Sequence, residues 1–180
     1  MGNRKRQDLA RGNCGRIFKF GCERRTGMAT FRGNHPAKVD EKGRLKLPSA
    51  FKQLVDAEHV TQFYITSMDG KSAEIWPLPE WEKREQLLAE SSTLNDAVQK
   101  YLNLTSYYGQ QVEMDSQARL LLPQILRGTA KLDAEVPAVV LGKLSYLEIC
   151  NREMFEASLP ASPVTAEDLK DIDAILSRRS

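Results

Sequence analysis

The chain has 180 residues, a formal charge of +2, and 41% hydrophobic and 28% charged residues, the balance of a soluble globular protein with one domain or two small ones. No apolar run reaches membrane-spanning length, and the amino end is basic without the long apolar segment of a signal peptide, so the cytoplasm is the expected compartment. Three cysteines (Cys14, Cys22, Cys150) without a Cys-x-x-Cys pair, and only two histidines (His35, His59), argue against zinc and disulfide architectures.

Charge is unevenly placed. Residues 1–27 hold eight Lys or Arg against Asp8 and Glu23, a local +6 that leaves −4 for the rest. Two readings of this segment stand: a basic disordered tail adding nonspecific phosphate contacts, or a start-site artefact ahead of Met28. A second basic stretch, Arg32 to Lys52, has six cations against Asp40 and Glu41. A body that is acidic overall binds nucleic acid only through such a local concentration.

Residues 34–39 and 44–47 read as strands joined by a tight turn. Gly43 supplies a positive φ and Asp40 accepts backbone N–H groups just beyond it. Leu45 and Leu47 then share one face and Arg44 and Lys46 the other. Pro48 and Ser49 open a short helix in "PSAFKQLV". "FYITS" and "AEIWP" form a hairpin around "MDGK". From Pro79 to Tyr108 the sequence is polar and helical, with Thr93 and Asp96 spaced like a capping box and Gly109 as a stop.

The first pattern then recurs. "VDEKGRLKLP" (39–48) and "MDSQARLLLP" (114–123) match at Asp, Arg, Leu, Leu and Pro with an offset of 75. "AVVLG" and "YLEIC" repeat the later strands, where the offset falls to 74 through a one-residue deletion in the turn; Glu74 matches Glu148, and Trp81 matches Phe155. The charge does not recur: Tyr107 to Arg127 sums to zero. A closing helix in "TAEDLKDIDAILSRR", capped by Thr165 and ended by Arg178 and Arg179, is expected to dock through Leu169, Ile172, Ile175 and Leu176.

Each copy is too small to hold a secure core alone, so the halves are expected to share one. The predicted fold is mixed, mainly β with helices: a pseudo-twofold barrel of two intertwined hairpin units, plus linker and C-terminal helices. The divisions are a first repeat at 31–81, a helical linker at 82–109, a second repeat at 110–156, and the C-terminal helix at 157–180.

The strings "FRGNHPAKVDEKGRLKLPSAF", "EIWPLPEWE" and "QVEMDSQARLLLP" resemble the MraZ family, built from two SpoVT/AbrB-type swapped-hairpin domains, over about residues 31–156. The resemblance implies a cytoplasmic, nucleoid-associated transcriptional regulator that forms a ring of identical subunits. It also implies binding to short direct repeats of double-stranded DNA upstream of its own gene, at the head of the cluster for cell division and wall synthesis. The family's DNA-facing arginines map onto Arg44 and Arg119. Ala118 stands where the first loop has Gly43, which puts the positive φ of the second turn in doubt, and for that loop a structural turn and a weaker DNA contact are equally open.

The residue types favour the first loop independently. Arg44 is a planar fork for a phosphate or a guanine edge, Lys42 and Lys46 are flexible phosphate contacts, and Arg32 and Lys38 are expected to extend the surface. Asp40, and Asp115 in the copy, are assigned to orienting the arginine. Trp76, Trp81, Tyr101, Tyr107 and Tyr108 are assigned to core or subunit contacts rather than base stacking. With no paired nucleophile and base, no enzyme, cofactor, metal or small-molecule ligand is expected. The competing class is an oligomeric protein-interaction scaffold of antitoxin-like type; its long disordered partner-binding tail would stand where this chain has one short capped helix.

Overall fold

A computed structural model describes residues 30–90 and 95–177. The basic segment 1–27 with Cys14 and Cys22, Thr93 of the expected capping box, and Arg178 and Arg179 lie outside them. The described chain runs β1 (Asn34–Lys38), β2 (Arg44–Lys46), α1 (Ser49–Ala57), β3 (Gln62–Thr66), β4 (Ser72–Pro77), α2 (Leu78–Glu90), α3 (Asp96–Tyr107), β5 (Gln110–Glu113), β6 (Arg119–Leu121), α4 (Gln124–Thr129), β7 (Pro137–Lys143), β8 (Tyr146–Asn151), α5 (Arg152–Ser158) and α6 (Ala166–Ser177). This is a mixed α/β fold. Helices hold more of it than the mainly β expectation allowed, because the strands are short.

Six strands form one sheet in the order β1-β7-β8-β4-β3-β5, and β2 pairs with β6 in a separate two-stranded ribbon. Every pairing is antiparallel. Exchanging each strand for its copy in the other half leaves both orders unchanged, and the register carries the same symmetry. Leu45 lies opposite Leu120, and Glu74 opposite Glu148. These are the pairs the sequence offsets relate. A residue that faces its own counterpart marks a twofold axis, so one axis passes through the ribbon and through β4–β8.

Apolar alternation fixes which face is inside. Leu45 and Leu120 on the ribbon, Ile75 and Leu147 on the central strands, and Phe63 and Val140 on their neighbours are all fully buried, in one cluster fed by both halves. The shared core is therefore real. Cys150 is buried beside it, and burial pushes its thiol up to about 12.

The axis also sets two carboxylates side by side, which is unfavourable in a strand pair. Each finds a separate partner: Glu74 accepts the Trp76 indole N–H at 2.8 Å, and Glu148 accepts the Ser72 hydroxyl at 2.7 Å with Lys143 at 3.3 Å. Trp76 and Trp81 are buried, with Trp81 stacked on Tyr64 and Trp76 on Tyr146. Tyr107 stays largely exposed.

Helix ends follow their signals with one exception. Asn95, not a residue of the expected Thr93 box, caps α3 by accepting the Ala97 N–H. Thr165 and Asp168 cap α6 reciprocally, as expected. The docking of α6 is corrected: Leu169, Ile172, Ile175 and Leu176 are all exposed, and the helix buries no residue. Its apolar stripe is covered by none of the described residues.

Candidate nucleic-acid interface

The repeated Asp-x-x-x-Arg segments fold into two nearly superposable clamps. In the first, Asp40 Oδ1 accepts the backbone N–H of Lys42 at 3.0 Å and of Arg44 at 2.9 Å, while Oδ2 accepts Arg44 Nε–H at 2.9 Å and lies 2.8 Å from Nη2. The Gly43 N–H closes the turn on the Asp40 carbonyl at 2.8 Å. In the second, Asp115 accepts from the N–H groups of Gln117 and Arg119, each at 2.9 Å, and from Arg119 Nε–H at 2.8 Å. Ala118 closes that turn on the Asp115 carbonyl at 2.9 Å.

One carboxylate thus satisfies the turn and holds the guanidinium by one edge. The hydrogen bond from the Arg44 side chain, with those from its backbone, holds the Asp40 carboxyl below its ordinary value. For Asp115 burial acts in the opposite direction, and the hydrogen bonds from Arg119 and Gln117 outweigh it. Both acids are anionic at neutral pH. The remaining N–H groups of each arginine have no acceptor among the described residues, and the two side chains are about a quarter exposed (26% and 25%).

The expectation for the second turn is corrected here. Ala118 adopts φ 58°, close to the 77° of Gly43, so the lost glycine does not change the turn. The compensation sits on the opposite helix. Arg127 lays its guanidinium against Gly43, where a Cβ would overlap it, and its Nε is buried without a partner. Its counterpart Lys52, by the 75-residue offset, turns instead to Asp56. The first loop thus pairs a glycine with an arginine on the helix, and the second has an alanine and, at the matching helix position, a lysine.

The ribbon joins the two clamps. Arg44 faces Leu121 and Lys46 faces Arg119 in register, with Leu45 and Leu120 turned into the core. Arg44 and Arg119 are therefore diagonal neighbours, a relation that sets residues about 7–8 Å apart, within reach of long side chains. The tips interlock, the Leu122 N–H bonding to the Gly43 carbonyl at 2.9 Å and the Leu47 N–H to the Ala118 carbonyl at 2.8 Å. Reading the loops as separate hairpin ends misses this strip, since nothing in either copy alone reveals that it pairs with the other.

Among the described residues Lys42, Lys46 and Arg127 enter no ion pair, so they supply the strip's uncompensated charge. Lys42 and Lys46 are exposed as expected. The sequence does not single out Arg127, whose place over Gly43 depends on the swap. The other two sequence candidates flank β1 at its two ends. Lys38 bonds Glu135 at 3.0 Å, and Arg32 sits at the opposite end of β1 from the loop, beside the Phe31–Leu144 bridge.

Comparison with known proteins adds a family. The profile described as "MraZ protein, putative antitoxin-like" matches residues 30–103 and 109–172. A protein of Acidobacterium capsulatum named "Transcriptional regulator MraZ" is 56% identical over 138 residues, covering 77% of this chain and 93% of that protein. Proteins of the same name from Koribacter versatilis and Thiobacillus denitrificans are 46% and 33% identical, covering 79% and 72% of this chain and 96% and 86% of their own.

Proposed function

This chain belongs to the MraZ family of transcriptional regulators, and from that premise we propose that it is a non-enzymatic, sequence-specific DNA-binding protein whose reading surface is the paired-clamp strip. The observation that carries the proposal is that two Asp-held arginines and Lys46 share one outward face of the β2–β6 ribbon, with Lys42 and Arg127 at the first tip.

A guanidinium held by one edge has already lost much of its rotamer freedom, so its open edge meets a phosphate or the O6/N7 edge of guanine at little further cost. The lysines add phosphate contacts that position without reading sequence. Where the first half has Lys42 and Lys46, the second has Gln117 and Leu121. The first clamp is therefore the stronger contact, on grounds of its neighbours rather than of its turn.

The wider reading is a ring of identical subunits in the cytoplasm, associated with the nucleoid, acting at short direct repeats in its own promoter ahead of the cell-division and wall-synthesis cluster. Several modest patches on one ring gain avidity by engaging successive boxes. Within each subunit, the ribbon and the six-stranded sheet form the double-hairpin barrel of this family. The Val39–Leu45 bridge and the common core beneath both sheets support that closure. Among the described residues no helix is long and apolar enough to cross a membrane.

The test is a fluorescence titration with duplex DNA from immediately upstream of the gene. Arg44→Ala is expected to abolish specific binding and Arg119→Ala to weaken it less, a single good base contact being worth about 1–3 kcal/mol. Equal losses refute the ranking of the clamps, and no binding even at low salt refutes the DNA reading.

A further inference from the structure

The internal symmetry extends beyond the sheet and stops at one point. In the first half, α2 and α3 form a helical pair that closes on β3. Trp81 stacks on Tyr64 at 4.4 Å, and the Thr105 carbonyl of α3 accepts the Thr66 hydroxyl at 2.7 Å and the Tyr64 hydroxyl at 3.3 Å. In the second half α5 takes the place of α2, with Phe155 for Trp81, and α6 takes the place of α3. Both α3 and α6 have twelve residues and begin at a capped turn. The groove that α3 fills in the first half is open in the second, a cavity of about 270 Å³ lined by Val139, Leu141, Phe155 and Leu159 with Arg152 on its rim. Meanwhile α6 stands off with its apolar stripe exposed.

The two unfilled surfaces match in chemistry. Aligning the helices at their caps sets Ile175 where α3 has buried Thr105, and Ile172 where it has Leu102. The strand positions facing Thr105 are Tyr64 and Thr66; their counterparts are Val139 and Leu141. A polar seat holds the polar residue in the first half, and an apolar seat awaits the apolar one in the second. Charge does not add to the match, because Arg152 on the rim is already paired with Glu156 at 2.8 Å, so the apolar contacts carry it.

The same chain is poorly placed to fill its own groove. At 1.5 Å per residue the thirteen residues of α2 run about 20 Å outward before α3 returns, whereas the seven of α5 run only about 10 Å. Leu159 still lines the groove, so the chain leaves α5 there. Ile175, near the far end of a helix about 18 Å long, is carried away from it.

We infer that α6 of one subunit docks into the β1–β7–α5 groove of a second copy of this chain, seating Ile172 and Ile175 against Val139, Leu141 and Phe155. The contact is heterologous, with a helix on one copy and a groove on the next, and such contacts generate rings where the rotation closes. The inference deepens the ring in the proposed function and is independent of which residues touch DNA.

The experiment is mass measurement of the full chain by analytical ultracentrifugation. The helix variant Ile172→Glu/Ile175→Glu and the groove variant Leu141→Glu should each reduce the assembly to the 20.3 kDa chain. Mixing them should yield one species of twice that mass, since each supplies the surface the other lacks. The helix variant alters only exposed residues; if Leu141→Glu fails a circular-dichroism melt, Leu159→Glu, on the exposed groove rim, replaces it. A monomeric parent chain, unchanged mass in either variant, or a mixture that stays monomeric overturns the inference. A groove variant that keeps its full mass while the helix variant falls apart points to another site for α6 and also overturns it. Arg44→Ala that keeps its specific DNA binding with its assembly intact would count against the DNA reading alone.

Discussion

Gly43→Ala probes the coupling between the first clamp and the opposite helix. At φ 77° an alanine costs about 1–2 kcal/mol relative to glycine, and the stiffer unfolded chain offsets about 0.4–1 kcal/mol of that. The new methyl must also displace the Arg127 guanidinium. Together these give a loss of about 1–2 kcal/mol, or about 3–6 °C in Tm for a chain of this size. The second loop suggests the remedy, because Ala118 occupies the same conformation and the helix position matching Arg127 carries Lys52. Adding Arg127→Lys to Gly43→Ala should therefore recover about 0.5–1 kcal/mol relative to the sum of the single variants. Urea melts of the four proteins complete the cycle. Effects that add within about 0.3 kcal/mol would refute the coupling between Gly43 and Arg127.

The core and the paired glutamates supply further tests. Leu120→Ala, at a fully buried position facing Leu45, should cost about 2–5 kcal/mol by chemical denaturation. Adding Leu45→Ala should cost less than as much again, because the two share one cavity. Burial raises the Glu74 carboxyl above its ordinary 4.5, assisted by Glu148 and opposed by the Trp76 hydrogen bond. The folded state then holds that proton more tightly than the unfolded chain, so this group's contribution to stability falls as pH rises from 4.5 through the raised value. Glu74→Gln should remove that slope and leave the protein more stable at pH 7; a variant less stable at pH 7 with an unchanged profile would contradict this account. Asp40 and Asp115 act oppositely, their depressed values withdrawing stability only as pH falls below 3.8.

How far the sequence could be read depended on whether a feature was local. The Asp-x-x-x-Arg turns are short-range objects, and Asp40, Gly43 and Asp115 do what their spacing required. The repeat offset even contained the register, since Leu45 pairs with Leu120 and Glu74 with Glu148. The ribbon was not legible because it depends on hairpins from two distant segments exchanging carbonyls, and Arg127 escaped notice for the same reason. Arg32 is near the loop along the chain, yet an extended strand carries its ends apart at about 3.3 Å per residue, which leaves Arg32 at the far end of β1. Ala118 was judged by intrinsic preference alone, and tertiary contacts override a penalty of that size. The apolar period of α6 suggested a docked face, but the helix buries no residue, because periodicity alone does not supply a surface to cover it.

Had the two halves stayed identical, the strip would look the same from either direction, and its preferred sequence would be a palindrome. Lys46 opposite Arg119, where Arg44 has only Leu121 across from it, breaks that equivalence while the scaffold beneath keeps it. The surface has acquired a head and a tail. A strip with polarity can tell one orientation of a duplex from the other, which would suit the ring proposed above, where every subunit faces the same way.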